Sequence, residues 1–310
     1  MPRIVRHSLV RAISLALFAF LAALAMPALA RNGDPVEVSG RAEVFAIQSD
    51  IMIEDGDDFD SSGFGIRADL AIDWKLAPKT TIRAEGQTGV FDYEGIDRDT
   101  LTTYGGAVSI SHEVTDEVTI ALEAKQLENI AVLEAFSADQ TSVAAQVEWE
   151  KGNDRLRLKA DYRERDYDTI ASGQGEGFRV TGQYNRRFGP YHWLRLDARV
   201  EKMSSDDEIR RSYDRRVVRL KYSHPITRRL RVRPSVEYRE WDYAGRIAFG
   251  DPDGALREDS YVAPGAELSW GRWNRGPYAL ASAEYRFRQS NDTRYDEDGA
   301  RFGLYVGYRF

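Results

Sequence analysis

Residues 300–310, Ala-Arg-Phe-Gly-Leu-Tyr-Val-Gly-Tyr-Arg-Phe, alternate without a break. Phe302, Leu304, Val306, Tyr308 and Phe310 fall on one face, and Arg301, Gly303, Tyr305, Gly307 and Arg309 on the other. A period of two is the geometry of an extended strand, whose successive side chains point to opposite sides. One side here is wholly apolar and the other polar or small, so the first needs an oily environment and the second a wet one. The same contrast recurs upstream. Phe64, Ile66, Ala68, Leu70, Ile72, Trp74 and Leu76 oppose Arg67, Asp69, Asp73 and Lys75. Leu156, Leu158, Ala160 and Tyr162 oppose Arg155, Arg157, Lys159, Asp161 and Arg163. Helical periodicity is absent from residue 36 onward, so the chain reads as all-β.

A terminal strand that is apolar on one face and ends on an aromatic resembles the last strand of bacterial outer-membrane β-barrels. That resemblance implies a barrel inserted by the barrel assembly machinery, with the apolar face toward lipid and the Arg/Gly/Tyr face toward the lumen. The opposite end agrees with export. Arg3, Arg6 and Arg11 precede the apolar run 12–26, and Ala28-Leu29-Ala30 is a small-x-small cleavage site. Residues 1–30 therefore read as a secretory signal peptide, and 31–310 as one outer-membrane barrel domain. No later stretch approaches the ~18 uninterrupted apolar residues of a membrane helix.

The alternation predicts fourteen strands near 36–48, 63–76, 80–92, 101–112, 117–127, 141–150, 155–167, 176–187, 191–203, 212–223, 229–243, 259–271, 277–289 and 300–310. Breaks after even strands are tight, as at 77–79, 115–116, 152–154 and 189–190. Those after odd strands are mostly longer and rich in Asp, Gly and Ser: 49–62, 131–140, 168–175, 204–211, 244–258 and 290–299. Short periplasmic turns and long outer loops are the rule for an up-and-down antiparallel barrel, which puts both termini in the periplasm. Aromatics sit at the predicted membrane borders. Trp74, Trp149, Tyr222, Trp270 and Phe310 form a lower girdle, and Phe64, Tyr104, Tyr162, Phe178, Tyr238 and Tyr285 an upper one. Pro234 and Pro264 interrupt strands 11 and 12, where bulges are expected.

The inward positions of strands 7 to 11 are strongly basic, and Arg157, Arg163, Arg199, Arg219 and Arg233 are the expected pore-lining cations. Asp69, Asp73, Glu267 and Glu284 are the expected carboxylates across from them. Two readings stand. The separated charges could set a transverse field that favours anions, or the pairs could tie neighbouring strands together and stiffen the wall. A triplet of acid, Tyr and Arg recurs at 161–163, 237–239 and 284–286, with acid and Arg two apart on the lumen side.

Other chemistries find little support. The whole chain carries a formal charge of −7, and losing the three Arg of residues 1–30 takes this to −10, which disfavours nucleic acid. With no cysteine there is neither a disulfide nor a thiol for lipid attachment. His112, His192 and His224 all fall at the periplasmic ends of strands, away from any outer-rim serine, so no catalytic triad, cofactor or transition-metal site is expected. The acidic stretch 54–63 loosely matches calcium-loop spacing but reads better as a solvated outer loop bridged by divalent cations to lipopolysaccharide. Residues 288–310, with Ser290-Asn291 and Tyr295-Asp296 before the final strand, also resemble the last hairpin of the surface lipoprotein assembly modifier barrels. That resemblance implies an export or assembly role. The residues themselves point first to a passive, porin-like channel for small polar, anionic solutes, and alternatively to a structural barrel closed by its own charges.

Overall fold

The computed structural model describes residues 35–310 except 51–53, 57, 60–61, 94–99, 133–134, 169–172, 207–211 and 273–274. The expected signal peptide at 1–30 lies outside the described residues. Fourteen strands run β1 (Val36–Ser49), β2 (Gly63–Ala77), β3 (Thr80–Tyr93), β4 (Leu101–Glu113), β5 (Val118–Val132), β6 (Ala135–Lys151) and β7 (Asp154–Tyr167). They continue as β8 (Gln174–Gly189), β9 (His192–Ser205), β10 (Tyr213–Pro225), β11 (Leu230–Ile247), β12 (Leu256–Gly271), β13 (Gly276–Ser290) and β14 (Gly299–Arg309). Each pairs antiparallel with the next, and β14 returns to β1 through the register Arg41↔Arg309 to Ser49↔Arg301. The fourteen strands form a closed barrel, so none of them is left as an open edge of the wall.

Val36 and Arg309 lie at the same end as the tight turns, called here the turn end; the other is the loop end. Strands of 11 to 18 residues exceed the ~9–11 that a tilted strand needs to cross a bilayer. The surplus rises at the loop end. Outward positions in the middle of the wall are apolar and half-exposed, among them Val44, Ile72, Val108, Leu122, Val147, Leu158, Val200, Val218, Leu268 and Leu304. Toward the loop end the outer face turns polar, with Arg216 2.6 Å from Glu240 and the Tyr162 hydroxyl donating to Glu176 at 2.8 Å. Phe64, Tyr104, Phe178, Tyr238 and Tyr285 are exposed near that change, and Trp74 and Trp270 are exposed near the turn end.

The seam between the first and last strands is set by aromatics lying on glycines. Phe310 exchanges both backbone hydrogen bonds with Gly40, and its ring covers that glycine so closely that a β-carbon there would sit 2.4 Å from Cζ. Phe310 is therefore buried, unlike Trp74 and Trp270. Inside, the Phe45 ring covers its cross-strand partner Gly65 in the same way.

Three expectations are corrected. The predicted outer loop 131–140 is mostly strand, because two register shifts around Ile130, with Asn129 at φ 53°, let β5 and β6 run on to a connection of two residues. The bulges expected at Pro234 and Pro264 do not form. Pairing keeps one register past each proline, with Lys221↔Ser235 and His224↔Val232 on one side and Val262↔Phe287 and Gly265↔Glu284 on the other. Both prolines point outward and cost a ladder bond rather than a residue of register. The predicted loop 244–258 shrinks to 248–255, since both flanking strands continue into it. Side chains of the acidic 54–59 stretch lie outside the described residues, but its backbone pairs Asp55↔Val132 and Gly56↔Ala131, carrying the first loop past β3 and β4 to β5.

Candidate functional site

The candidate site is the barrel interior, whose two halves differ. In the loop-end half, inward side chains are packed out of solvent. Over β1, β3 and β4, Phe45 stacks on Phe91 at 5.8 Å and on Tyr305 at 5.9 Å, with Ile47 and Leu101 beside them. Over β5 to β7, Leu127, Ile130, Val132, Ala138 and Tyr167 form a second apolar cluster. The remaining arc, β7 to β13, is filled by ion pairs interleaved with rings. Glu201 receives Arg163 at 2.6 Å, Arg215 at 2.5 Å and the Tyr213 hydroxyl at 2.8 Å, all three charged groups being no more than 2 % exposed. Glu237 receives Arg239 at 2.7 Å, Arg219, and the Tyr261 hydroxyl at 2.6 Å. Asp259 receives Arg257 at 2.5 Å, Arg288 at 2.9 Å and the Ser290 hydroxyl at 2.6 Å. Charges buried this deeply persist only when each is paired and hydrogen-bonded.

Several of these contacts skip a strand. Arg163 on β7 reaches Glu201 on β9 across the inward, side-chain-free Gly177 of β8. Tyr278 on β13 reaches Glu43 on β1 at 2.6 Å across Gly307 of β14, where a β-carbon would collide with its hydroxyl. Arg165 donates to the Tyr213 hydroxyl of β10 at 3.3 Å, over two intervening strands. Such chords fill the inward space over the strands they skip.

Cavities lie toward the turn end and middle. One of about 540 Å³ is bounded by Arg41, Arg67, Asp69, Arg83, Glu85 and Gln87 beneath Phe45 and Phe91. A second, of about 420 Å³, lies between the small residues Ser109, Ala121 and Ala144 and the cations Arg157 and Lys159. A third, of about 260 Å³, has Arg219, Lys221, Arg301 and Arg309 around Glu43, Glu267 and Glu284. The wall is thus lopsided, with small residues on β4 to β6 and guanidinium groups on β7 to β11. Carboxylates facing inward on β7 to β11 are Asp161, Asp197, Glu201 and Glu237, far fewer than the cations.

All nine expected pore-lining residues fall on the inward faces of their strands, in different settings. Arg157 shares Glu148 with Arg155, at 2.8 and 2.7 Å. Arg163 belongs to the buried Glu201 cluster, and Arg219 joins Glu237 while staying partly exposed. Arg233 and Lys221 share Glu267, at 3.2 and 2.5 Å. Asp69 holds Arg41 at 2.7 Å, Asp73 holds Arg83 at 2.7 Å and Glu284 holds Arg286 at 2.8 Å. Arg199 makes no ion pair among the described residues. The recurring acid-Tyr-Arg triplets close on themselves, since Arg163, Arg239 and Arg286 each contact the acid two residues earlier.

Sequence reasoning missed the inward apolar cap and the Arg–aromatic stack at the mouth. Phe45 and Ile47 share a face with Arg41 and Glu43, which was the available signal. At the mouth, Arg257 lies 3.4 Å from the Tyr295 ring centre and 4.8 Å from that of Tyr243, fastening the β13–β14 loop over the interior. Within that loop Asp292 accepts the Arg294 guanidinium at 2.6 and 2.9 Å, and this contact holds its carboxyl well below the usual range. His112, His192 and His224 do lie near the turn end, where His192 and the Tyr222 hydroxyl are 2.6 Å apart.

No protein-family model matches the chain, and no curated protein is similar to it in sequence. Solved structures do share its form. The outer-membrane channel DcaP of Acinetobacter baumannii superposes with a TM-score of 0.52 at 11% identity, covering 89% of this chain and 97% of that one. An anion-selective porin from Comamonas acidovorans gives 0.49 at 9% identity, covering 89% and 99%. At such identities the likeness to the channel speaks for fold. Together with the closed ring of strands, it gives the chain the fold of bacterial outer-membrane β-barrels, here with fourteen antiparallel strands.

Proposed function

We propose that this barrel is an outer-membrane channel for small polar solutes with a preference for anions. The observation that carries the reading is the cation surplus along β7 to β11, beside the cavities. Arg155 and Arg157 divide Glu148, with Glu150 also 3.9 Å from Arg155, Lys221 and Arg233 divide Glu267, and Arg199 makes no ion pair among the described residues. Fixed charges within a Debye length of ~8–10 Å dominate the potential of a narrow aqueous path at moderate salt. In this reading the protein reaches the outer membrane by the secretory route, with the turn end in the periplasm and the loops facing lipopolysaccharide. The side chains packed at the loop end make its resting conductance small.

The test is reversal potential in planar bilayers under a salt gradient. Arg157→Glu combined with Arg199→Glu should move selectivity toward cations, and the shift should shrink as salt rises. One observation favours a second reading, a structural barrel closed by its own charges: the Arg163–Glu201–Arg215 cluster is sealed from solvent. That reading expects silent bilayers, and the same substitutions would change stability alone.

A further inference from the structure

Three adjacent inward residues near the turn end stand in one register row, Arg155 on β7, Asn185 on β8 and Arg195 on β9. Nε of Arg155 and Nε of Arg195 are buried donors without a hydrogen-bond partner, and between them Oδ1 of Asn185 is an unpartnered acceptor that a half-turn of the amide exchanges for its NH2 donors. An unsatisfied buried polar group costs ~1–3 kcal/mol, so three side by side are a costly arrangement for an empty wall. Charge is unbalanced at the same place. Arg195 forms no salt bridge among the described residues, and around it the single carboxylate of Asp197 is set against the like charges of Arg157, Arg155 and Arg233. Of the nearest carboxylates, Glu148 is divided between Arg155 and Arg157, Glu150 stands 3.9 Å from Arg155 Nε, beyond hydrogen-bond reach, and Asp197 accepts from Gln183 at 2.8 Å. Trp193 supplies a flat apolar floor, with Arg195 5.2 Å and Arg233 6.0 Å from its ring centre. The row lies between the cavity that holds Arg157 and the one that holds Lys221.

We propose that Arg155, Asn185 and Arg195, flanked by Arg157, Arg233 and Trp193, form a binding site for a small doubly charged oxyanion, a dicarboxylate or inorganic phosphate. Guanidinium groups suit this ligand because their forked donors match two oxygens at once. A dianion supplies the ion pair that Arg195 lacks among the described residues, and the Asn185 side-chain amide, turned to present its NH2, adds a neutral donor between the two arginines. The site deepens the channel reading by naming the class of solute, and its biological role rests on that reading.

Calorimetric titration of the folded full-length barrel in detergent, with succinate, inorganic phosphate and, at matched ionic strength, sodium chloride, tests it. Saturable binding of succinate or phosphate but not chloride is expected. Arg195→Gln should weaken it at least about tenfold, while Arg216→Gln on the outer face leaves it unchanged. Asn185→Asp places a carboxylate between the two arginines, so it should abolish binding and raise the melting temperature, which keeps the test open if Arg195→Gln misfolds. Quenching of Trp193 fluorescence should follow the same isotherm and vanish in Trp193→Phe. Lack of saturation by either oxyanion, equal heats from chloride, or undiminished affinity in Asn185→Asp overturns the site. Binding without conductance would sink the channel and leave the site standing. Anion-selective conductance without saturable binding would do the reverse.

Discussion

Glu201 shows what a single side chain does in this wall. It is buried between Arg163 and Arg215, each also buried, and it accepts from Tyr213. Removing one member of such a cluster strands the others in a medium that solvates them poorly, at a cost of about 3–5 kcal/mol. Glu201→Gln should therefore lower the urea midpoint of the barrel in lipid vesicles by a margin that Glu123→Gln does not approach. Glu123 faces Lys159 at 2.8 Å with both partly exposed, where a pair contributes ~1 kcal/mol or less. Comparable midpoints for the two variants would contradict this account. Gly40 is a second sensitive position, because Phe310 occupies the space of its missing side chain. Gly40→Val should unseat the ring and reduce the heat-modifiable, folded fraction. Phe310→Asp should reduce membrane insertion further, whereas Gln183→Ala in the lumen should not.

At the scale of elements, strand number, order and facing were legible because a barrel wall writes a period of two into every strand. The readable part ended where that period slips. On either side of Ile130 the hairpin takes one extra residue, first on β5 and then on β6, and Asp139 turns from an apparent loop residue into an acceptor for the Asn129 backbone N–H at 2.9 Å. Residues 131–140 are mostly apolar but do not alternate strictly, and Ile130, Val132 and Ala138 pack as strand interior. Pro234 and Pro264 misled in the opposite sense, since a proline that faces lipid can forgo one hydrogen bond without moving the register. The β13–β14 connection, residues 291–298, carries its own prediction. Asp292 has its carboxyl lowered by Arg294, so its stabilising contribution is complete above the ordinary value of about 3.9 and fades only as pH falls through the lowered, folded-state value. Amide protection at Thr293 and Tyr295, whose N–H groups donate to Phe249 and Asp292, should persist from pH 7 to pH 4. In Asp292→Asn it should already be weak at pH 7. Loss of protection in the wild type near pH 4 would show that the carboxyl is not lowered.

For the whole molecule, the proposed topology puts the tight turns in the periplasm and the open connections outside the cell. The chain has no cysteine, so a single introduced thiol reports alone. Thiols at 252 or 253 should react with an impermeant reagent on intact cells, and thiols at 78, 79 or 153 should not; the opposite pattern would invert the topology. The inward charges were legible as a set, yet their division into a sealed cluster and a surplus beside the cavities was not. Sequence shows which face a residue takes, while its height on the wall and its reach across a glycine depend on the register of neighbours. That division has a consequence for exchange. With side chains packed toward the loops and cavities toward the turns, the proposed anion site has its shorter route to solvent at the turn end. On that reading, exchange with the loop side is the slower step, set by the packing of Phe45, Phe91, Arg257 and Tyr295.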